Sequence, residues 1–465
     1  MSNSPAISSV ACDATSSTAS GVYKPRPVTG FPEWLPEVRM IEQKWMDIIR
    51  RVFESYGFCS VETPAVEELG VLRAKGEVDK EIYVIERLHK DDQDTKDARL
   101  ALHFDQTVPL ARYVAQHFND LDFPFKRYQM QKVWRGERPQ AGRFREFYQC
   151  DIDVIGVESV PMHFDSELAA IMVDILRELD IGPFEMQISN RKILAGLCAG
   201  LGIADAKIVT TAVDKIEKVG VDQTEKSLLA AGLSAHQTAT ILKFAKIRTP
   251  DDGFVQMVLD LGVKHEILAQ GLAELGAVMN ALAHIEPGFV VADLSIVRGL
   301  DYYTGTVYET KLLQNPGFGS ICSGGRYEDL AGSYINKHLP GVGLSIGLSR
   351  LFDFMRMNDL LPIGTTPRKC PTDVLVCLPS EDLRGPAAAT ARDLRARGLN
   401  VELYHNDQKI KKQLAYAEKK GIPYVWFPPF ESGQNHEVKN MRTGEQVAAD
   451  PLTWTLTGHY QTAQG

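Results

Sequence analysis

Residues 126–154 read KRYQMQKVWRGERPQAGRFREFYQCDIDV, and this stretch predicts how the sheet and its site are built. From Gln149 onward polar and apolar residues alternate, which is typical of a strand with two different faces. One face carries Gln149, Asp151 and Asp153, and the positions between them are apolar. Unpaired buried polar groups are costly. The strand therefore predicts either a solvated sheet face or a cleft for a polar or cationic ligand.

The first part of the same stretch is strongly basic. Residues 126–145 hold seven Lys or Arg and one acid, Glu137, which gives a local charge of +6 in a chain of net charge −9. A charge run is most often an exposed loop. Here, however, aromatic residues such as Trp134 and Phe144 lie between the bases. Because guanidinium groups match phosphate oxygens, the segment favours a phosphate-binding surface.

Length and composition narrow the class of protein. The 465 residues, 44% hydrophobic and 24% charged, are typical of a globular chain of about three domains. The acidic net charge argues against indiscriminate coating of nucleic acid. No apolar run approaches the roughly 18 residues of a membrane span, so no membrane partner is expected. The seven cysteines lack CxxC spacing, which predicts neither a zinc site nor a disulfide framework.

Composition shifts along the chain predict its domain organisation. The Ser- and Thr-rich segment 1–30 is expected to be a disordered tail without a signal or transit peptide. A core of strands and helices should occupy 31–194 and resume at 286–365, around a helical insertion at 195–285 that is rich in Ala, Leu, Gly and Lys. Alternating strand and helix patterns at 370–465 predict a separate α/β domain with a largely parallel sheet.

Two further clusters are candidates for a functional site, and one motif only resembles a catalytic motif of hydrolases. Residues 298–305 read RGLDYYTG and residues 322–327 read CSGGRY, although paired glycines usually mark only a tight turn. Residues 343–347, GLSIG, match the nucleophile elbow of hydrolases. That elbow requires a sharp strand-to-helix turn at the serine, whereas this segment is predicted to be continuous strand. No phosphate-binding P-loop pattern or HExxH pattern occurs.

Taken in order, these clusters resemble the histidyl-tRNA synthetases, a family of class II aminoacyl-tRNA synthetases. Residues 58–64 resemble class II motif 1, residues 126–156 motif 2 and residues 340–351 motif 3. The RGLDYY and GGRY segments resemble two signatures peculiar to the histidine enzymes. The resemblance extends over residues 31–427.

The resemblance implies an α+β fold: an antiparallel-sheet class II catalytic core with a helical insertion, followed by a C-terminal α/β anticodon-binding domain. It implies a cytoplasmic homodimer with motif 1 at the interface. The reaction would be ATP-dependent activation of L-histidine to histidyl-adenylate, with Mg²⁺ accompanying ATP, and transfer to the 3′ end of tRNA(His). One alternative is a non-catalytic paralogue, either a regulatory subunit of histidine biosynthesis or a tRNA sensor. Another is a different class II synthetase, against which the RGLDYY segment argues.

The resemblance also assigns the nucleotide-binding and catalytic residues. ATP would be bound by four charged side chains: Arg135, Glu137, Arg143 and Arg350. Catalysis would involve Arg298, Arg135 and Gln149, with Arg298 beside the α-carboxylate and the α-phosphate. No metal-ligating side chain is implied.

For histidine, the resemblance implies contacts at both ends of the amino acid. The α-amino group would be bound by Asp105, Thr107 and Gln149. The two imidazole nitrogens would be bonded by Asp153 and Tyr303. Further contacts around the substrate would come from Arg298, Tyr302 and Tyr327.

Two positions depart from the family pattern. Ser349 stands where an acid commonly precedes the motif 3 arginine, which removes one supporting contact but leaves Arg350. Asp153 stands where some members have the longer glutamate, which shortens the reach of this carboxylate toward the imidazole.

Overall fold

The computed structural model describes residues 24–73, 82–87, 99–138, 142–297, 303–329, 331–332, 334–362, 368–431 and 433–456. Most of the predicted tail lies outside these ranges, as do Arg298 and Tyr302 of the predicted site. Across the described ranges, no helix is long and apolar enough to span a bilayer.

Twelve strands in the first part of the described chain form two sheets. In chain order they are β1 Cys59–Ser60, β2 Val66–Glu68, β3 Val84–Ile85, β4 Leu100–Leu102, β5 Phe125–Trp134, β6 Glu146–Ile155, β7 Phe184–Asn190, β8 Arg248–Thr249, β9 Val290–Asp293, β10 Tyr303–Leu312, β11 Cys322–Tyr327 and β12 Gly341–Ile346. The main sheet has the order β1-β5-β6-β12-β11-β10-β7-β9-β8, and the small sheet has the order β2-β4-β3. The strands from β5 to β7 in this order pair antiparallel.

Helices surround the main sheet and fill the segment between β7 and β9. They are α1 Pro36–Ser55, α2 Leu69–Arg73, α3 Thr107–Gln116, α4 His163–Glu178, α5 Arg191–Gly200, α6 Ala206–Asp214, α7 Ile216–Val219, α8 Val221–Ala230, α9 Ala235–Phe244, α10 Phe254–Leu259, α11 Glu266–Ala281 and α12 Leu348–Met357. Helices α5 to α11 occupy most of the segment for which composition predicts a helical insertion. The exact domain limits stay predictions.

Helix α1 illustrates how the sequence sets local structure. Pro36 occupies its first turn, where a missing N–H removes no helical hydrogen bond. Trp45, Ile49 and Phe53 recur at helical spacing and are buried in the main core. The same core takes the apolar face of β6, including Ile152. The polar face of β6 is therefore left for the opposite side of the sheet, as the alternation predicts.

The C-terminal part forms its own sheet and core. Its elements are β13 Val374–Val376, α13 Arg384–Ala396, β14 Val401–Leu403, α14 Ile410–Lys420, β15 Tyr424–Phe427, β16 Glu437–Asn440 and β17 Gln446–Ala448. Strands β14, β13 and β15 are parallel as predicted, but β16 and β17 add antiparallel. The prediction of a largely parallel sheet is therefore wrong for its outer half. Both strands are short, and β17 is wholly exposed, so neither has the alternation that marks a strand.

Candidate active site

The candidate site lies on the polar face of three neighbouring strands, β5, β6 and β12. Arg127 of β5 lies opposite Asp153 of β6, and Gly343 of β12 lies on the other side of Asp153. One step along, Asp151 has Ser345 of β12 as its cross-strand neighbour. Directly paired residues point to the same face. The register therefore collects the predicted β6 carboxylates with groups far away in sequence.

Glycines make room for these side chains. A Cβ on Gly343 would lie 2.1 Å from Asp153 Oδ1, and a Cβ on Gly341 would lie 2.3 Å from the Tyr327 ring. A Cβ on Gly325 would lie 2.8 Å from the Tyr303 ring. The glycine pair of the GGRY segment therefore lies inside β11 rather than in a turn. Here glycine serves close packing rather than chain reversal.

The Asp153 carboxylate is held from two sides in a buried environment. Arg127 Nη2 lies 2.7 Å from Asp153 Oδ2, and the Tyr327 hydroxyl donates to Asp153 Oδ1 at 3.0 Å. Burial raises the pKa of Asp153 to about 7, and the positive charge of Arg127 is the largest opposing influence. Burial also raises the pKa of the Tyr327 phenol well above its ordinary value, so that hydroxyl stays protonated and remains a donor.

A second group of polar side chains lies next to Asp153. Asp105 Oδ1 accepts the Val108 N–H at 3.1 Å near the start of α3, which Thr107 begins. Burial raises the pKa of Asp105 to about 6. Gln149 Nε2 donates to Ser345 Oγ at 2.8 Å. Gln149 Oε1 and Asp151 Oδ1 are buried with no hydrogen-bond partner among the described residues. Buried polar atoms are nearly always satisfied, so these two acceptors are available to a ligand.

An arginine-rich cavity of about 230 Å³ adjoins this cluster, because Gln149 and Ser345 line it as well. Arg135 packs over the Phe147 ring and donates from Nε to the Phe104 carbonyl at 3.1 Å. Arg350 lies 4.7 Å above the Phe318 ring and donates to the Phe318 carbonyl.

A charge pair lies on the same cavity wall, where Arg143 Nη1 is 3.2 Å from Glu137 Oε2. Burial and the nearby Arg143 lower the pKa of Arg350, but an arginine remains charged at neutral pH. Three arginines against one glutamate make the described lining suitable for a polyanion.

Most of the predicted site residues come together. Of the histidine-binding candidates, Asp105 and Tyr327 lie against Asp153, Thr107 begins α3 beside Asp105, Gln149 lies between this group and the cavity, and Tyr303 lies near Tyr327. The nucleotide-binding candidates Arg135, Glu137, Arg143 and Arg350 line the cavity. Other bases of the +6 segment do not line the cavity. Lys126, for example, points to the other face and bonds Glu167 at 2.8 Å. The basic run is therefore only partly a phosphate surface.

Two buried arginines have roles that the sequence did not predict. Arg127 belongs to the basic run, yet it lies beside Asp153 rather than in the cavity. The pairing register of β5 and β6 identifies its partner. Arg326 of the GGRY segment points away from the site and forms a bidentate ion pair with Asp165 at the start of α4. Arg326 directly precedes Tyr327 on the same strand, and neighbouring side chains of a strand point to opposite faces. The sequence therefore already indicates that Arg326 points away from the face that carries Tyr327.

The GLSIG segment and the motif 3 departure are also explained by position. The segment is strand β12 up to Ile346, and α12 starts only at Leu348, so Ser345 is not on a sharp elbow. Ser345 accepts from Gln149, as described above. The buried Ser349 hydroxyl accepts the Tyr148 N–H at 2.9 Å and connects α12 to β6. A small polar residue thus replaces the expected acid without leaving that donor unpaired.

The antiparallel sheet, its buried carboxylate and amide groups and the adjoining arginine cavity define a class II aminoacyl-tRNA synthetase core. A search against family models gives the same class. The model described as histidyl-tRNA synthetase matches residues 30–351, and the model described as anticodon binding domain matches residues 373–451. The chain therefore belongs to the histidyl-tRNA synthetase family, and its α+β fold is the one predicted.

Relatives match over nearly their whole length. The chain is 57% identical to a histidine–tRNA ligase of Thermobifida fusca, over 93% of this chain and 98% of that protein. It is 48% identical to a histidine–tRNA ligase of Micrococcus luteus, over 92% and 95%. The crystal structure of a histidyl-tRNA synthetase from Nostoc sp. PCC 7120 superposes with a TM-score of 0.82 at 39% identity, over 92% and 97%.

A more distant structure tests the paralogue alternative. It is described as an ATP phosphoribosyltransferase regulatory subunit/histidyl-tRNA synthetase from Bacillus halodurans, and it has a TM-score of 0.70 at 21% identity, over 85% of this chain and 97% of that one. That likeness shows a shared fold alone. The much higher identities above are all to proteins named as histidine–tRNA ligases or histidyl-tRNA synthetases.

Proposed function

We propose that the protein activates L-histidine with ATP to histidyl-adenylate and pyrophosphate, and then transfers the histidyl group to the 3′ end of tRNA(His). The observation that carries the proposal is the buried polar cluster around Asp153 opening beside the arginine-lined cavity. The polar cluster suits an amino acid with a polar side chain, and the arginine-lined cavity suits a nucleoside triphosphate. Family membership and the 57% identical ligase support the same activity.

At the histidine end, Asp105, Thr107 and Gln149 bind the α-amino group, and Asp153 and Tyr303 bond the imidazole nitrogens. Gln149 Oε1 is buried without a partner among the described atoms, which supports its acceptor role. Tyr302 and Tyr327 complete the contacts. Tyr327 acts chiefly by holding the Asp153 carboxylate. A site built to hydrogen-bond a polar side chain rejects analogues lacking it by roughly 10⁴–10⁵-fold, so selection needs no editing step.

At the nucleotide end, Arg135 and Arg350 bind the phosphates of ATP, with Glu137 and Arg143 also facing the nucleotide. Mg²⁺ would arrive with ATP. Within the described ranges no cluster of three or more His, Cys, Asp or Glu could hold a metal ion. Mg²⁺ is commonly bound through one or two carboxylates together with substrate phosphates. The residues present fit an ion whose ligands come mainly from ATP.

The chemical step brings two anions together, because the histidine carboxylate attacks the α-phosphate in line and pyrophosphate leaves. At 4 Å the repulsion of two unit charges is about 4 kcal/mol at an effective dielectric constant of 20. Arg298 offsets this repulsion beside the α-carboxylate and the α-phosphate, and Arg135 neutralises charge from the cavity side. Gln149 fixes the amino group so that the carboxylate points at phosphorus. One positioned donor of this kind is typically worth about 10²–10³-fold in rate.

The remaining parts of the chain serve the tRNA and the assembly. The domain at 370–465 binds the anticodon of tRNA(His), which its family match supports. The chain forms a homodimer through the motif 1 region. The small sheet there exposes Val66, Val84, Ile85 and Leu100, which are 36–48% accessible, and neighbouring exposed apolar side chains favour a protein interface. The insertion at 195–285 and the core at 31–194 and 286–365 complete the domain organisation.

The protein acts in the cytoplasm. Each of the six cysteines that the structure describes is unpaired. Reduced thiols are typical of that compartment.

The deciding experiment is amino-acid-dependent exchange of pyrophosphate into ATP by the purified protein. We expect exchange with histidine and with no other standard amino acid, followed by charging of tRNA(His). The Arg298→Ala variant, purified in parallel, measures any contaminating host enzyme and should lose most of the exchange while still binding histidine. Arg392→Ala, an exposed position on α13, is the matched control and should exchange at the wild-type rate. Wild-type protein that exchanges with no amino acid would favour the non-catalytic paralogue.

A further inference from the structure

Arg127 is a buried base that neither phosphate binding nor any role assigned above uses. Its side chain is fully buried, and it lies near the start of strand β5 and outside the cavity lining. We propose that Arg127 is a positioning residue for histidine: its charge favours the ionised form of the Asp153 carboxylate, which accepts the imidazole N–H of the substrate. This role rests on the proposed function and adds a residue to it.

The geometry fixes the carboxylate with little freedom. Arg127 Nη2 is 2.7 Å from one oxygen, and the Tyr327 hydroxyl is 3.0 Å from the other. On the third side, Gly343 has no Cβ, and the space that a Cβ would occupy is filled by Asp153 Oδ1. A carboxylate has about four acceptor sites, two on each oxygen. Arg127 and Tyr327 occupy one site on each oxygen, so each oxygen keeps one site for a substrate N–H.

The local charge balance shows why a base is needed. The charged and titratable groups that act on Asp153 are Asp151 on β6, Asp105 before α3, Arg127 on β5 and Tyr327 on β11. Arg135, directly after β5, acts on Asp105 and Asp151, and Tyr303 of β10 acts on Tyr327. Strand β12 contributes only glycine and serine there. Three carboxylates thus share two arginines. Burial already raises the pKa of Asp153 to about 7 with Arg127 in place.

Without Arg127 the carboxyl would be protonated at neutral pH. A protonated carboxyl carries a donor on one oxygen and competes poorly for the imidazole N–H. Arg135 cannot substitute, because its Nε is bonded to the Phe104 carbonyl and its guanidinium packs over Phe147. Arg127 acts mainly by charge: its Nε and Nη2 lack a well-directed hydrogen bond among the described atoms, and its Nη1 is a long 3.4 Å from Gln129 Oε1.

The test measures histidine affinity by calorimetry, without ATP, from pH 6 to pH 10. An opposite charge at this range lowers the pKa of an aspartate by roughly one to three units. In Arg127→Met we therefore expect the pH midpoint of histidine affinity to rise by about one to three units, with an affinity at pH 7 that is at least about fivefold weaker. Arg127→Gln keeps polar contacts without the charge and should show the same shift, which covers a failure of the methionine variant to fold.

Two controls separate charge from structure. Lys126→Met removes one positive charge from the adjacent position of the same strand, on the opposite face, and should leave the midpoint unchanged. In an Asp153→Asn background the amide oxygen accepts at every pH, so adding Arg127→Met should produce no shift. Folded Arg127 variants with the wild-type midpoint would overturn the proposal. Wild-type protein that binds histidine but does not exchange pyrophosphate would instead contradict the catalytic function and leave this role intact.

Discussion

Replacing Gly343 with alanine should damage histidine recognition while sparing ATP binding. Gly343 lies beside Asp153 on the neighbouring strand β12. An added Cβ would sit 2.1 Å from Asp153 Oδ1, 2.6 Å from its Cγ and 3.0 Å from the Ile152 carbonyl oxygen. The carboxylate cannot swing away freely, because Arg127 and Tyr327 hold its two oxygens. The substitution therefore displaces the group that recognises imidazole.

The size of the effect follows from this distance. Real Cβ atoms do not approach closer than 3.0 Å, so the Asp153 oxygen must retreat by about 0.9 Å. A misplacement of about 1 Å in a substrate-positioning group can reduce the rate about 10²-fold. Crowding a packed interior by one methyl group costs roughly 1–3 kcal/mol of stability. We therefore expect kcat/KM for histidine to fall about 100-fold in a protein that still folds.

Histidine-dependent pyrophosphate exchange, measured over a range of both substrates, is the assay. KM for ATP should stay within about twofold of wild type, because Gly343 does not line the arginine cavity. Gly276→Ala is the control: outside its own helix the added Cβ would meet only the Val255 side chain, at an ordinary 3.9 Å, and the position lies inside helix α11. That control should be fully active and equally or more stable. A Gly343→Ala protein with wild-type kcat/KM for histidine would refute the packing argument.

Two further predictions concern buried charges. The Asp105 carboxyl ionises near pH 6 in the folded chain and near pH 4 in the unfolded chain, so its contribution to stability is full below about pH 4 and is lost as pH rises through 6. In urea titrations, the free energy of unfolding of Asp105→Asn minus that of wild type should therefore rise by roughly 1–3 kcal/mol between pH 4 and pH 7. A difference that does not depend on pH would contradict the buried carboxyl. Arg326→Met leaves the fully buried Asp165 unpaired and should lower the free energy of unfolding by about 3–5 kcal/mol. Adding Asp165→Leu should restore most of this loss. A loss below about 1 kcal/mol would argue against the ion pair.

Local patterns were enough to predict much of the chain. The spacing of Trp45, Ile49 and Phe53 predicts α1 because helical periodicity depends on neighbours only three or four residues apart. The alternation from Gln149 to Asp153 predicts which face of β6 is polar for the same reason. Strands β16 and β17 were missed because they are short and carry little burial pattern of their own.

The site was predicted in its members but only partly in its arrangement. Resemblance of motifs named Asp105, Gln149, Asp153 and the cavity arginines, and the structure brings these side chains together. The structure also places Arg127 against Asp153 and Arg326 against Asp165, and no sequence motif predicts either ion pair. Both pairs join residues from separate elements, so they depend on strand register and on which helix covers which face.

The sequence by itself determined the periodic elements, the polar face of β6, the basic segment and the family to which the motifs belong. These follow from side-chain types at short, fixed spacings. Only the tertiary structure decided that Arg127 meets Asp153, that Gly343 leaves room for its carboxylate, and that part of the +6 segment points away from the cavity. The physical reason is that alternation is local to one strand, whereas the register between strands is set by packing across the whole sheet.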